Sequence, residues 1–179
     1  MRTRKKIAMR VLFGTFVLSL VAATSAWAQT AEENLKQKNI TLPVVPGPVA
    51  NYVPAVRSGN LLFLAGTGCR PPRCSSGKVG KDLSLEQGYQ AARATGLNLL
   101  GTVRATLGSL DKVKRVVKVL GMVNSAPGFT DQPKVMDGFS DLMIEVFGNK
   151  IGPHARSAVG MAELPFNIPV EIAMVLEVE

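Results

Sequence analysis

From Ile168 to Val178 the chain alternates. Ile168, Val170, Ile172, Met174, Leu176 and Val178 fall on one side, and Glu171, Ala173, Val175 and Glu177 on the other. A period of two predicts a strand with one buried face. Just upstream, Ser157 to Met161 reads as a short strand with Arg156 at its entrance, and one of its faces carries only Ala158, Gly160 and Ala162. Leu164-Pro165 and Pro169 separate the two strands.

The middle of the chain changes period. Leu85, Tyr89, Ala92, Gly96, Leu100, Val103 and Leu107 recur at helical spacing, and Ser84 with Gln87 forms a capping-box pattern at their start. Val135, Phe139, Leu142 and Val146 mark a second helix, with Thr130 or Asp131 near its start, Pro133 in its first turn and Gly148 at its end. Tyr52 to Val56 and Leu61 to Ala65 predict a hairpin turning at Arg57-Ser58-Gly59-Asn60, and Val113 to Val123 is a third strand, apolar on both faces, with Val117, Val119 and Val123 against Val116, Leu120 and Met122. The order ββαβαββ predicts an α+β two-layer sandwich, one sheet with two helices on one face. Two helices cover one face only, while the strands at 61–65 and 113–123 are apolar on both. The second face therefore needs a partner, most simply another copy in a closed ring.

The first 28 residues have a different logic. Arg2, Arg4, Lys5, Lys6 and Arg10 precede an apolar run from Val11 to Ala23, and Ala26-Trp27-Ala28 is an A-x-A cleavage site. This predicts an export signal cut after Ala28 and a periplasmic protein with no membrane anchor afterwards, since the run is well short of the ~20 residues of a span. The signal also carries much of the charge. The whole chain has 21 Lys and Arg against 13 Asp and Glu, a net +8; without the signal, 16 basic residues face 13 acidic ones, a net +3. That balance gives no support to a nucleic-acid partner. Residues 29–45, polar and helix-tolerant up to Asn39 and then Pro-rich, read as a lead-in to a single domain at 46–179.

Candidate chemistry is sparse. Arg156 at a strand end beside small residues suits a carboxylate receptor, because a guanidinium fork matches a carboxylate bidentately. A surface ion pair, for instance with Glu171, is the plainer alternative. Cys69 and Cys74 flank Arg70-Pro71-Pro72-Arg73. In an exported chain an even cysteine count reads as a small disulfide-closed loop. A metal site would need more ligands than the single His154 supplies, and a redox pair would lack C-x-x-C spacing. Arg70 and Arg73 either line a cleft mouth or are solvated loop charges. With one histidine, a nucleophilic triad has little to build on: Ser157 is near His154 in sequence but points away from the face of Arg156. The glycines at 88, 96 and 101 lack the spacing of a phosphate loop.

Ala155-Arg156-Ser157, Leu164-Pro165 and Val170-Glu171-Ile172 together resemble the C-terminal signature of the RidA (YjgF) family. Tyr52, Gly59 to Gly66 and Leu110-Asp111-Lys112-Val113 follow the family's order, so the resemblance covers 46–179. It implies a chorismate-mutase-like fold, a homotrimer with clefts between subunits, and hydrolysis of 2-imino (enamine) acids to 2-oxo acids and ammonia without metal or organic cofactor. Arg156 matches the carboxylate-binding Arg and Glu171 the acidic residue that holds water. The backbone near Ala158 assists that water, Tyr52 matches the cleft tyrosine, and Gly66 the glycine beside the substrate. Ala65-Gly66-Thr67 stands where the family has Ser-Gly-Gln, Ala158 replaces its Cys, and Met136-Asp137 stands where active members often carry an Asn. A non-catalytic, carboxylate-binding or chaperone-like trimer is the alternative the resemblance leaves open.

Overall fold

The computed structural model describes residues 29–44 and 51–179; the expected export signal lies outside the described residues. Strands β1 (Ala55–Ser58), β2 (Leu61–Gly68), β3 (Val113–Asn124), β4 (Ala155–Met161) and β5 (Val170–Val178) form one sheet in the order β1-β2-β5-β3-β4. Only β3 and β4 run parallel; the other neighbours are antiparallel. Helices α2 (Leu85–Leu107) and α3 (Gln132–Ile151) cover one face. The order ββαβαββ is present, preceded by one further helix.

The local signals explain the elements. In β5, Val170, Ile172, Met174, Leu176 and Val178 are buried and the intervening residues half-buried. Helix α2 opens on the Ser84–Gln87 capping box with both reciprocal bonds made, and closes on Gly108 in the left-handed conformation. Helix α3 has Pro133 in its first turn. Gly148, at φ +70°, interrupts it, and one more turn carries it to Ile151. Because the two helices cross closely, glycine is required at the contact. A Cβ on Gly138 would overlap the backbone carbonyl of Tyr89, and one on Gly96 would press on Leu142 and Phe139.

Three expectations need correction. The first strand begins at Ala55, not Tyr52, and Ser58 pairs with Leu61, so the hairpin turns on Gly59-Asn60 alone, with Gly59 at φ +61°. In β3 the register shifts between Val116 and Lys118 opposite β5. The extra residue puts both Val116 and Val119 on the helix side and leaves Val117, Leu120 and Met122 outside. The lead-in is also part of the folded body. Residues Ala31–Gln37 form α1, opened by a Thr30–Glu33 capping box, and Leu35 is only 2% exposed. The buried Asn34 side chain donates to the Val146 carbonyl at 2.9 Å, while Glu32 accepts from Arg104 and from the Leu110 amide.

The face away from the helices is apolar and open. Val56 and Phe63 face each other across β1 and β2, and Leu120 and Val159 lie on β3 and β4; all four are 38–53% exposed. None of the described helices packs there.

Candidate active site

Arg156 pairs with Val119 across β3 and β4, and Val119 is buried under the helices, so Arg156 leaves the sheet on the helix side. There α3 meets it. Arg156 Nη1 donates to Asp137 Oδ1 and to Ser140 Oγ, each at 2.9 Å. Its ion-pair partner is thus Asp137, not Glu171. The small face of β4 is partly filled: a Cβ on Gly160 would meet the Gln132 amide and Ser125 hydroxyl. The room lies at the Arg156 end, in an open depression of about 370 Å³ lined by Asp137, Ser140, Ile144, Pro153, His154 and Arg156. Ala158, two residues along, pairs with Gly121 on the same face.

His154 joins this group through a residue that sequence reasoning passed over. Its Nδ1 lies 2.7 Å from the Gly152 carbonyl and its Nε2 3.1 Å from Ser140 Oγ. The ring packs edge-on against Phe139. A carbonyl only accepts, so Nδ1 carries the proton, and a neutral ring then accepts from Ser140 at Nε2. Burial pushes the imidazole below its ordinary value; the Gly152 bond opposes this and the Arg156 charge adds to it. The folded chain therefore binds this proton more weakly than the unfolded chain does. The stability linked to it is complete above the unfolded value of about 6.5 and is lost as pH falls through the folded value. Unfolding midpoints measured at about pH 7.5 and about pH 5.5 are expected to show a drop toward acid that is smaller in His154→Gln.

Glu171 lies on the other side of the sheet. It is half-buried on the open face of β5, opposite Gly68 on β2 and Met122 on β3. The register of β2 shifts between Leu64 and Thr67, and at that irregularity the Glu171 carboxylate sits over Gly66, where any Cβ would overlap Oε1. The glycine makes space for the acid. Ser157 is also on this face and accepts from Lys118 Nζ at 2.8 Å. Tyr52, 54% exposed, precedes β1. Since β1 and β4 are opposite edges of the sheet, four strand spacings, about 19 Å, separate the strand that Tyr52 precedes from that of Arg156. Within one chain the structure brings Gly66 to Glu171, and Asp137, Ser140 and His154 to Arg156. It does not bring Arg156, Glu171 and Tyr52 together.

Cys69 and Cys74 are joined as a disulfide, directly after β2. The bridge holds a loop whose arginines both have partners. Arg70 stacks on Phe166 at 3.7 Å from the ring centre, and Arg73 donates to Asn98 at 2.9 Å.

Residues 32–177 match the family model for YjgF/chorismate mutase-like proteins, a family that also carries an endoribonuclease label. The chain is 44% identical over 149 residues to protein TCP17 of Trypanosoma cruzi, covering 80% of this chain and 91% of that one. It is 31% identical to 2-iminobutanoate/2-iminopropanoate deaminase of Dermatophagoides farinae, covering 78% and 95%. Among solved structures it resembles Atu1372 of Agrobacterium tumefaciens, a protein of unknown function, at 42% identity and TM-score 0.76 over 83% and 92% of the two chains. The fold also matches the Escherichia coli YjgF gene product, at 21% identity and TM-score 0.53 over 75% and 93%. With a family model spanning most of its length, the chain belongs to the YjgF (RidA) family.

Proposed function

We propose that this protein hydrolyses small 2-imino acids to 2-oxo acids and ammonia, at a site built between copies in a closed homotrimer. The observation that carries the reading is the seat of Glu171: a carboxylate on an open sheet face, over a glycine, beside apolar surface that a second copy would cover. The relative named as an iminobutanoate deaminase supports the substrate class. Arg156 and Glu171 leave opposite faces of the sheet, so one small ligand reaches both only when they come from different copies.

In this reading the free edge of Arg156 binds the substrate carboxylate and fixes C2. Glu171 takes a proton from water as the oxygen adds to C2 of the protonated imine, giving a carbinolamine. That proton is then returned to nitrogen, and the C–N bond breaks as the hydroxyl proton of the carbinolamine passes to Glu171, so that ammonia leaves behind the 2-oxo acid. The imine is already electrophilic, so positioning and one base suffice. With the export signal read in residues 1–28, the setting proposed is the periplasm, where amino-acid oxidation would supply such imines.

The test generates imino acids in place with an amino-acid oxidase and follows ammonia release. The protein is expected to accelerate release, with Glu171→Ala about 10²–10⁴-fold slower and Arg156→Ala near the blank. One observation favours a second reading, a carboxylate binder without turnover: Arg156 already holds an internal carboxylate, Asp137. If all three proteins match the blank while wild type alone binds 2-oxo acids, the binder reading replaces the enzyme.

A further inference from the structure

Asp137 and Ser140 both take the same nitrogen of Arg156, Nη1. Among the described residues, Nη2 and Nε have no partner, so one edge of the fork remains for a ligand. Ser140 is itself fixed from behind by His154, and His154 by the Gly152 carbonyl. The guanidinium is thus held in one orientation by a chain of bonds that ends on the backbone. Asp137 differs from its neighbours in this cluster. Only its Oδ1 is engaged, its side chain is half exposed, and it lines the same depression as Arg156. The other lining residues are Ser140, His154 and two apolar side chains, Ile144 and Pro153. A ligand bound to the free edge of Arg156 therefore extends over a floor whose only negative charge from its own chain is Asp137, with no second cation to answer another carboxylate; the Glu171 that a second copy would bring adds an anion, not a cation.

We infer that Asp137 makes this receptor selective for the charge of its ligand's side chain: 2-imino and 2-oxo acids with neutral or cationic side chains are accepted, and dicarboxylates are rejected. The inference rests on the reading that Arg156 binds the substrate carboxylate. It adds which acids are taken, and it follows from the repulsion of like charges held close together.

The experiment titrates the protein with three stable product acids by calorimetry: 2-oxobutanoate, 2-oxoglutarate, and 2-oxo-5-guanidinopentanoate. Wild type is expected to bind 2-oxoglutarate about tenfold or more weakly than 2-oxobutanoate, and the guanidino acid at least as well as 2-oxobutanoate. In Asp137→Asn, which keeps an oxygen acceptor for Nη1, the two anions are expected to bind within about threefold of each other, and any advantage of the guanidino acid to vanish. Equal binding of all three acids by wild type, or an unchanged ratio in Asp137→Asn, overturns the inference. The reading beneath it fails separately, if wild type binds none of the acids or if Arg156→Ala binds them as wild type does.

Discussion

Gly138→Ala is expected to lower the thermal midpoint by roughly 6–12 °C, corresponding to a loss of about 3 kcal/mol. In an exposed helix the same change would stabilise by about 1 kcal/mol, because alanine is the better helix former. Here the steric effect wins. A Cβ at 138 would overlap the Tyr89 carbonyl oxygen and come within 2.9 Å of its carbon. Those atoms are backbone near the N-terminal end of α2, inside its hydrogen-bonded turns, so relief requires the two helices to move apart there. Separation would loosen Phe139 and Leu142, which are fully buried between the helices and the sheet. Gly96→Ala is the comparison: its Cβ would meet Leu142 Cδ2 at 2.8 Å and Phe139 Cδ2 at 3.0 Å, the ends of side chains. Its cost is expected to be the smaller of the two. Calorimetric midpoints of both variants check the argument, and equal, small shifts would show that the crossing is softer than its geometry implies.

The same contact shows what a linear pattern reveals and what it conceals. The alternation of β5, the stripe of α2 and its Ser84–Gln87 cap were legible, because each is a local code read within a few residues. Helix α1 was not, although Thr30 and Glu33 spell the same capping box that identified α2. Its burial rests on Ala31, Asn34 and Leu35 alone, of which only Leu35 is a large apolar residue, too little to make a periodic signal, and on partners 72–112 residues away. The shift in β3 was hidden for another reason: Val116, Val117, Val119 and Leu120 are all apolar, so the sequence does not say which of them the extra residue turns outward.

The site divides along the same line. Gly66 and Glu171 were named from resemblance, and the structure puts the carboxylate over the glycine. The partners of Arg156 were not foreseen. Asp137 and Ser140 lie on α3, and reach it only because β4 runs parallel to β3 beneath that helix. Ser140 carried no motif. The one usable clue was stereochemical: residues 137 and 140 are three apart, so on a helix they share a face. Whether Arg156 and Glu171 share a face could not be counted either, since Leu164-Pro165 and Pro169 break the chain between them and erase the parity.

Mixing two inactive variants is expected to restore activity. In one chain Arg156 lies on edge strand β4 facing α3, whereas Glu171 lies on central strand β5 facing away from the helices. Two strand spacings, about 10 Å, and the thickness of the sheet separate them. A 2-imino acid of four or five carbons cannot bridge that gap. If the site forms between copies, Arg156→Ala supplies an intact Glu171 and Glu171→Ala an intact Arg156. In a closed ring assembled at random from equal amounts, half the copies keep each group, so about a quarter of the sites hold both. Co-expressed variants carrying different affinity tags, purified through both tags to select mixed rings, should then release ammonia at roughly a quarter to a third of the wild-type rate, against near-blank rates for each variant alone. The ring is needed because the apolar face around Val56, Phe63, Leu120 and Val159 offers the surface on which copies would associate. Mixed rings that stay at the blank, while wild type is active, would mean that Arg156 and Glu171 do not serve one site across an interface. The chemistry would then have to be assigned to one face of a single chain, with Glu171 or the Arg156–Asp137–Ser140 cluster left as structure.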